Sequence, residues 1–109
     1  MKSNLHKQAV ALVKELYPTV KIIEEYPIKV DRTTLYVDIF IPLLKLAIEV
    51  HGEQHYEMNS FYHNSKAEFY AQKKRDNDKL NYLNEAGYTV KILPYNEIDK
   101  WKQILQKTK

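Results

Sequence analysis

Acidic and imidazole side chains interrupt two apolar runs that the sequence predicts to be neighbouring β-strands. Asp38 lies within residues 35–41, and Glu49 and His51 lie within residues 44–51. Burying a carboxylate among aliphatic side chains costs several kcal/mol unless the carboxylate is paired or binds a metal ion. Because the sequence accepts this cost twice, we predict that these charges are functional, and that their chemistry is the binding of a divalent cation.

The alternation of side chains along a strand sets the face on which each of these groups lies. Glu49 and His51 share one side of their strand, and Asp38 lies on one side of the strand before it. A short joint beginning at Pro42 favours a hairpin, so the two carboxylates and the imidazole are expected to converge on one face. The alternative is that Asp38 and Glu49 lie on a solvated face, or pair with lysines such as Lys45.

The elements that must position these groups follow an order typical of a small α/β sandwich. The predicted elements are a helix over 3–17, strands or extended segments over 20–25 and 27–30, the two runs above, a helix over 66–86, a strand over 88–93, and a helix after Asn96. A capping box, Ser65 with Glu68, marks the start of the long helix, and Gly87 marks its end. The order predicts a single domain over residues 1–109, with a mixed central sheet flanked by helices.

The long helix carries an acid on its inward line together with a basic cluster. Asp76 lies one turn before Leu80 on the line predicted to face the sheet, which makes Asp76 a candidate site residue. The alternative is a surface ion pair with Lys73 or Lys79. The cations of this region are predicted either to contact DNA phosphates or to form a solvated helix face. They are Lys66, Lys73, Lys74, Arg75 and Lys79.

Composition limits the classes of protein to which the chain can belong. The 109 residues carry a net charge of +3 and include no cysteine. Disulfides and thiolate metal sites are therefore excluded, and a cytosolic location is expected. No apolar run reaches the roughly 18 residues of a membrane span, and no signal-peptide pattern opens the sequence, so a membrane partner is not expected. The mildly basic balance is weak support for a nucleic-acid partner.

The chain resembles the PD-(D/E)XK nuclease superfamily, and within it the branch of very-short-patch repair endonucleases and related phage homing endonucleases with an EDxHD-type site. The resemblance is carried by the segments VDIFIP, AIEVHGEQH, KKRDNDKLNYL and AGYTVKILP. Asp38 and Glu49 match the Asp and Glu of the superfamily pattern. His51 stands where a lysine is usual, and this departure favours the repair-like branch. The resemblance implies a restriction-endonuclease-like three-layer sandwich.

The resemblance also implies a set of site residues. The implied catalytic residues are Glu15, Asp38, His51, His55 and Asp76. The implied ligands of Mg²⁺ or Mn²⁺ are Asp38, Glu49 and the carbonyl of Val50. Either His51 or His55 would accept the proton of the attacking water, and the sequence leaves that choice open. By its spacing alone, Glu15 lies near the edge of an apolar stripe, where it could reach inward or lie in water, and the spacing favours water.

The function that the resemblance implies is metal-dependent hydrolysis of phosphodiester bonds in double-stranded DNA. The expected protein is the catalytic domain of a phage or intron-type homing endonuclease in the cytoplasm of a bacterial or phage-infected cell, with a separate DNA-recognition domain. The alternatives are a mismatch-repair nicking endonuclease and a non-catalytic nucleic-acid-binding module on the same fold. A zinc or HNH-like site made of His51, His55 and His63 is a further alternative. The sequence does not indicate an oligomeric state.

Overall fold

The computed structural model describes residues 3–56 and 65–107. Its helices and strands are α1 (Asn4–Leu16), β1 (Ile23–Val30), β2 (Thr33–Ile41), β3 (Leu46–His51), α2 (Lys66–Glu85), β4 (Thr89–Pro94) and α3 (Trp101–Gln106). Ser3 and Ser65 cap α1 and α2 by accepting backbone hydrogen bonds, as predicted. Gly87, with φ of 90°, follows the end of α2 in the left-handed region that glycine adopts without strain.

The four strands form one mixed sheet in the order β1-β2-β3-β4. The first three strands are antiparallel, and β4 pairs with β3 in parallel. The predicted segments over 20–25 and 27–30 merge into β1, which forms a hairpin with β2. The predicted hairpin between β2 and β3 is confirmed, and its joint is a short 3₁₀ turn, Pro42–Leu44, closed by Lys45 in the left-handed conformation.

Helices cover both faces of this sheet and produce three layers. The buried cluster on one face joins α1 and α3 to the sheet through Ala9, Val10, Val13, Ile39, Ile41, Leu46, Ile48, Leu93, Trp101 and Leu105. The cluster on the other face joins α2 to the sheet through Ile28, Leu35, Val37, Phe40, Ala47 and Leu83. The predicted α/β class and mixed sheet are therefore confirmed. Within the described ranges, no helix is both long and apolar enough to cross a lipid bilayer.

The regular pairing of strands stops at the point where the two acids stand. The ladder between β2 and β3 runs from Ile41 to Ile39 and ends there, so Asp38 and Glu49 lie just beyond its last pair. On the other side of β2, the register with β1 skips Asp38 and Glu25, and Glu25 has φ of 51°. Backbone groups around Asp38 are consequently left to bond with side chains, and a recess opens at this end of the sheet.

Candidate active site

The carboxylates of Asp38 and Glu49 lie side by side at the open end of the β2-β3 hairpin. The backbone N–H of Asp38 donates to Glu49 Oε2 at 3.0 Å, and the N–H of Val50 donates to Asp38 Oδ2 at 2.8 Å. Glu49 is buried and Asp38 is half-buried. The predicted convergence of the two acids is confirmed, and the alternative of a solvated sheet face is wrong.

Lys79 from α2 completes this group of charges. Lys79 Nζ donates to Glu49 Oε1 at 2.7 Å, and the two side chains are only 13% and 8% exposed. Burial raises the pKa of Glu49 to about 6, the negative charge of Asp38 adds to this rise, and Lys79 opposes it. The lysine that pairs with Glu49 is therefore Lys79, whereas Lys45 lies over the ring of Tyr88.

A second group of polar side chains lies beside the acids and joins β3 to α2. His55 Nδ1 lies 2.8 Å from Asp76 Oδ2, and Gln72 Nε2 donates to Asp76 Oδ1 at 3.2 Å. The ring of His51 stacks on that of His55, with centroids 4.1 Å apart and planes inclined by 7°. The Tyr56 hydroxyl lies 3.4 Å from His51 Nδ1. Asp76 therefore faces inward as predicted, and its partners are His55 and Gln72 in place of a surface lysine.

The environment fixes the charges of this second group. Burial, followed by the positive charge of His55, lowers the pKa of His51 to about 4, so His51 is neutral at pH 7. Burial alone would raise the pKa of Asp76, but the hydrogen bond and charge of His55 outweigh it and hold the pKa below its ordinary value.

The carboxylates and the histidines line two adjacent cavities, and Glu49 lines both of them. A cleft of about 540 Å³ is lined by Asp38, Glu49, Val50, His55 and Lys79, among others. A neighbouring cavity of about 260 Å³ is lined by His51, His55, Asp76, Glu49 and Lys79, together with Tyr56 and Lys73. A ligand in the cleft can therefore meet the carboxylate pair and one edge of the histidine group at the same time.

Glu15 is not brought to this recess. It lies exposed near the C-terminal end of α1 and is not among the residues that line the cleft. The opposite end of α1 lines the cleft, through Ser3 and through His6, whose Nε2 lies 3.1 Å from Glu24 Oε1. The resemblance assigned an acid to the first helix, but the part of α1 that faces the cleft carries a histidine.

Glu25 and His6 are among the residues that line the cleft and that the sequence interpretation did not select. Glu25 interrupts β1 in the left-handed conformation, with φ of 51°, opposite the position of Asp38. Two consecutive acids, Glu24 and Glu25, in a predicted strand were the available signal. His6 gave no signal of its own, because a single histidine in an amphipathic helix usually belongs to the packed interior.

The predicted cationic set divides into a buried member and exposed members. The side chain of Lys79 is largely buried in its pair with Glu49, so it does not extend from the helix surface. Lys74 pairs with Asp78 at 2.7 Å, and Arg75 donates to Gln72. Lys66 is exposed, and Lys73 Nζ lies 5.5 Å from the ring centroids of Tyr56 and Phe69. Lys66, Lys73, Lys74 and Arg75, which we call the α2 cations, are thus the exposed part of the set.

The chain is similar to two proteins of invertebrate iridescent viruses. It is 36% identical over 61 residues to "Uncharacterized protein 033L" of invertebrate iridescent virus 3, a match that covers 56% of this chain and 31% of that protein. It is 38% identical to "Uncharacterized protein 307L" of invertebrate iridescent virus 6 over 74 residues, covering 59% of this chain and 38% of that protein. The chain thus spans about a third of the length of these curated relatives. No family model and no solved structure matches it.

One predicted alternative falls partly outside the described structure. His63, the third histidine of the zinc or HNH-like alternative, lies outside residues 3–56 and 65–107. His51 and His55 do lie together, but the third metal-ligating group beside them within the described ranges is Asp76 of α2. The available donor set is therefore two imidazoles and a carboxylate drawn from a strand end, a turn and a helix.

Proposed function

We propose that this chain is a divalent-metal-dependent DNA endonuclease domain with a restriction-endonuclease-like fold. The observation that carries the proposal is the pairing of Asp38 and Glu49 on adjacent strands, where both carboxylates border a cleft and Lys79 holds one of them. A buried pair of acids with a single lysine partner retains net negative charge. Retaining such charge in the interior is costly, and binding a cation would offset the cost.

The donor set suits Mg²⁺ or Mn²⁺. Mg²⁺ prefers oxygen ligands and is commonly held by one or two carboxylates while it keeps several waters, which the cleft has the volume to admit. Burial and the charge of Asp38 raise the pKa of Glu49 to about 6, so an added positive charge here would relieve an existing repulsion. Asp38 and Glu49 would hold the ion, with the Val50 carbonyl as the third protein ligand.

The remaining groups have roles in hydrolysis that follow from their positions. When bound, the ion supplies neutralisation of charge on the scissile phosphate. As water attacks the phosphorus and the P–O bond to the leaving oxygen breaks, His55, which borders the cleft, accepts the proton of that water, and the leaving oxygen takes a proton from solvent. Asp76 orients the His55 ring and stabilises the imidazolium that forms. Lys79 fixes the position of Glu49 through their ion pair. His51, neutral and stacked on His55, limits the rotation of that ring.

Double-stranded DNA is the proposed substrate because the exposed cations lie on the helix that also supplies the site. The α2 cations occupy the first half of α2, most of which is exposed, and Asp76 and Lys79 follow them within the same helix. Phosphate contacts by lysine and arginine supply sequence-independent affinity. This arrangement would bring a DNA backbone that follows α2 to the rim of the cleft.

Cleavage of a supercoiled plasmid tests the proposal. We expect the wild-type chain to convert the plasmid in Mg²⁺ or Mn²⁺ and to lose this activity in EDTA. Asp38→Asn should reduce the rate at least about 100-fold while DNA affinity is retained, because the ion's charge stabilisation amounts to several kcal/mol. Asp99→Asn, which changes an exposed acid before α3, is the matched control and should cleave normally.

Two outcomes would contradict the proposal. Cleavage by Asp38→Asn at the rate of the wild-type chain would exclude Asp38 from the reaction. DNA binding without cleavage in either metal would instead support a non-catalytic nucleic-acid-binding module.

A further inference from the structure

The histidine group beside the carboxylates has the composition and spacing of a separate metal site. His51, His55 and Asp76 each offer one ligand atom, and these atoms lie within 4.8 Å of one another. They come from the end of β3, the turn after it and the middle of α2, so the tertiary fold assembles them. We call these three residues the His-His-Asp group. The cavity of about 260 Å³ that they line borders the cleft, with Glu49 shared between the two.

We propose that the His-His-Asp group binds a first-row transition-metal ion of the Zn²⁺ type, and that this ion inhibits the cleavage reaction. Two imidazole nitrogens and one carboxylate oxygen are donors that Zn²⁺ accepts readily, whereas Mg²⁺ favours oxygen donors alone. The two neighbouring sites therefore select different ions by the chemistry of their ligands. Three protein ligands leave a fourth tetrahedral position for water.

The distance between two of the three ligand atoms requires only a small local adjustment for such an ion. His55 Nδ1 and Asp76 Oδ2 are 2.8 Å apart and are joined by a hydrogen bond. Two ligands of a tetrahedral Zn²⁺ ion lie about 3.3 Å apart when each bond is about 2.0–2.1 Å long. The ion would therefore replace the proton of this hydrogen bond after a shift of roughly half an ångström, and the His51 ring would turn out of its stacked position to reach the ion.

A polar neighbour of the group already holds one of its ligands, Asp76, in place. Gln72 donates to the other oxygen of Asp76 at 3.2 Å, and the Tyr56 hydroxyl lies near His51 Nδ1. Such outer hydrogen bonds orient ligands in metal sites. Positive charge opposes the binding of a cation here, because Lys73 and Lys79 line the same cavity. Lys79 is neutralised by Glu49, and Lys73 lies over two aromatic rings, so neither lysine occupies the position between the three ligands.

Inhibition follows because the proposed zinc site and the proposed hydrolysis both depend on Nδ1 of His55. This part of the inference rests on the proposed function. The nitrogen of His55 that lies against Asp76 would bind the ion, so Asp76 could no longer orient and stabilise the imidazolium that hydrolysis requires. The Mg²⁺ ligands would remain in place. Added Mg²⁺ is therefore expected not to restore cleavage, because the two ions occupy different sites.

Direct binding of Zn²⁺ to the metal-free chain tests the site without DNA and without any measurement of activity. Calorimetry is expected to show one Zn²⁺ ion per chain for the wild type and equally for Asp38→Asn. His55→Gln and Asp76→Asn are each expected to weaken binding at least about tenfold. His6→Gln, which changes a histidine paired with Glu24, is the matched control and should bind like the wild type.

A spectroscopic measurement keeps the test decisive if a variant folds poorly. In the wild-type chain, the imidazole resonances of His51 and His55 should shift on addition of Zn²⁺, and those of His6 should not. Unchanged Zn²⁺ affinity in both His55→Gln and Asp76→Asn would overturn the proposal, as would shifts confined to His6. Zn²⁺ binding at His51 and His55 in a chain that never cleaves DNA would refute the proposed nuclease and leave the metal site standing. Mg²⁺-dependent cleavage without Zn²⁺ binding would refute the zinc site and leave the proposed nuclease standing.

Discussion

Lys79 Nζ lies 2.7 Å from Glu49 Oε1, and this ion pair joins residues 30 positions apart in the interior. Neither charge has much access to water, since the side chains are 13% and 8% exposed. A buried ion pair contributes little net stability, because the loss of hydration offsets most of the attraction. The main effect of the ion pair is therefore to hold Glu49 in one orientation at the rim of the cleft.

Replacing one partner of this ion pair is expected to destabilise the fold much more than replacing both partners. Lys79→Met should lower the free energy of unfolding by about 3–5 kcal/mol, because Glu49 is left buried and unpaired. The double variant Glu49→Gln with Lys79→Met should be more stable than Lys79→Met alone. Urea unfolding at pH 7 measures both. Lys74→Met, which removes the exposed pair with Asp78, should leave stability nearly unchanged, because solvent screens an exposed ion pair. Equal effects of the two lysine variants would contradict the buried pairing.

Glu49 should make stability fall as pH rises. Its pKa of about 6 in the folded chain exceeds the ordinary value of 4.5, so the folded state binds more protons than the unfolded state between these values. Stability from this group is present below pH 4.5 and is lost as pH rises through 6, by about 2 kcal/mol. Unfolding in EDTA at pH 4 and pH 7 should show this loss in the wild type relative to Glu49→Gln. A constant difference between the two proteins would exclude the shift.

His51 should make stability fall as pH falls, which is the opposite of the effect of Glu49. Its pKa is lowered from 6.5 to about 4, so the unfolded state binds more protons between these values. Stability from this group is present above pH 6.5 and is lost as pH falls through 4, by about 3 kcal/mol. His51→Gln should lack this loss in the same unfolding series, so acid should destabilise the variant less than the wild type. If acid destabilises both proteins equally, His51 is not buried in its neutral form.

Asp76→Asn should separate positioning of His55 from folding. The amide keeps the shape of the carboxylate but loses the charge that stabilises an imidazolium, so the cleavage rate should fall roughly 100-fold with little change in DNA affinity. Asp78→Asn, two positions along the same helix, is the control and should cleave normally. Steady-state kinetics on a defined duplex measures both variants. An effect on KM alone would assign Asp76 to substrate binding and away from proton transfer.

The α2 cations should dominate the salt dependence of DNA binding. Replacing Lys66 and Lys73 with alanine should weaken binding and reduce the slope of log affinity against log salt by about 2, since each phosphate contact contributes about 0.9. The double replacement Lys100→Ala with Lys102→Ala is the control, because these exposed lysines lie at α3 on the other face of the sheet. Fluorescence anisotropy between low and moderate salt gives the slopes. Identical slopes for the two double variants would remove α2 from the DNA contact.

The sequence by itself determined the features that depend on neighbouring residues. The serine caps and Gly87 define helix ends through local hydrogen bonds and backbone conformation, and they were predicted correctly. The convergence of Asp38 and Glu49 was also predictable, because a short hairpin joint and the period of a strand fix which side chains share a face.

The tertiary structure alone decided which distant groups meet. Asp76 and Lys79 are three positions apart on α2 and were candidates for pairing with each other, but the packing of Leu83 against the sheet turns Asp76 to His55 and Lys79 to Glu49. In the same way, the packing of α1 against the sheet places His6 at the cleft and leaves Glu15 outside it. A periodic pattern gives the inward face of a helix but not its position along the sheet, because that position depends on contacts between residues far apart in the chain.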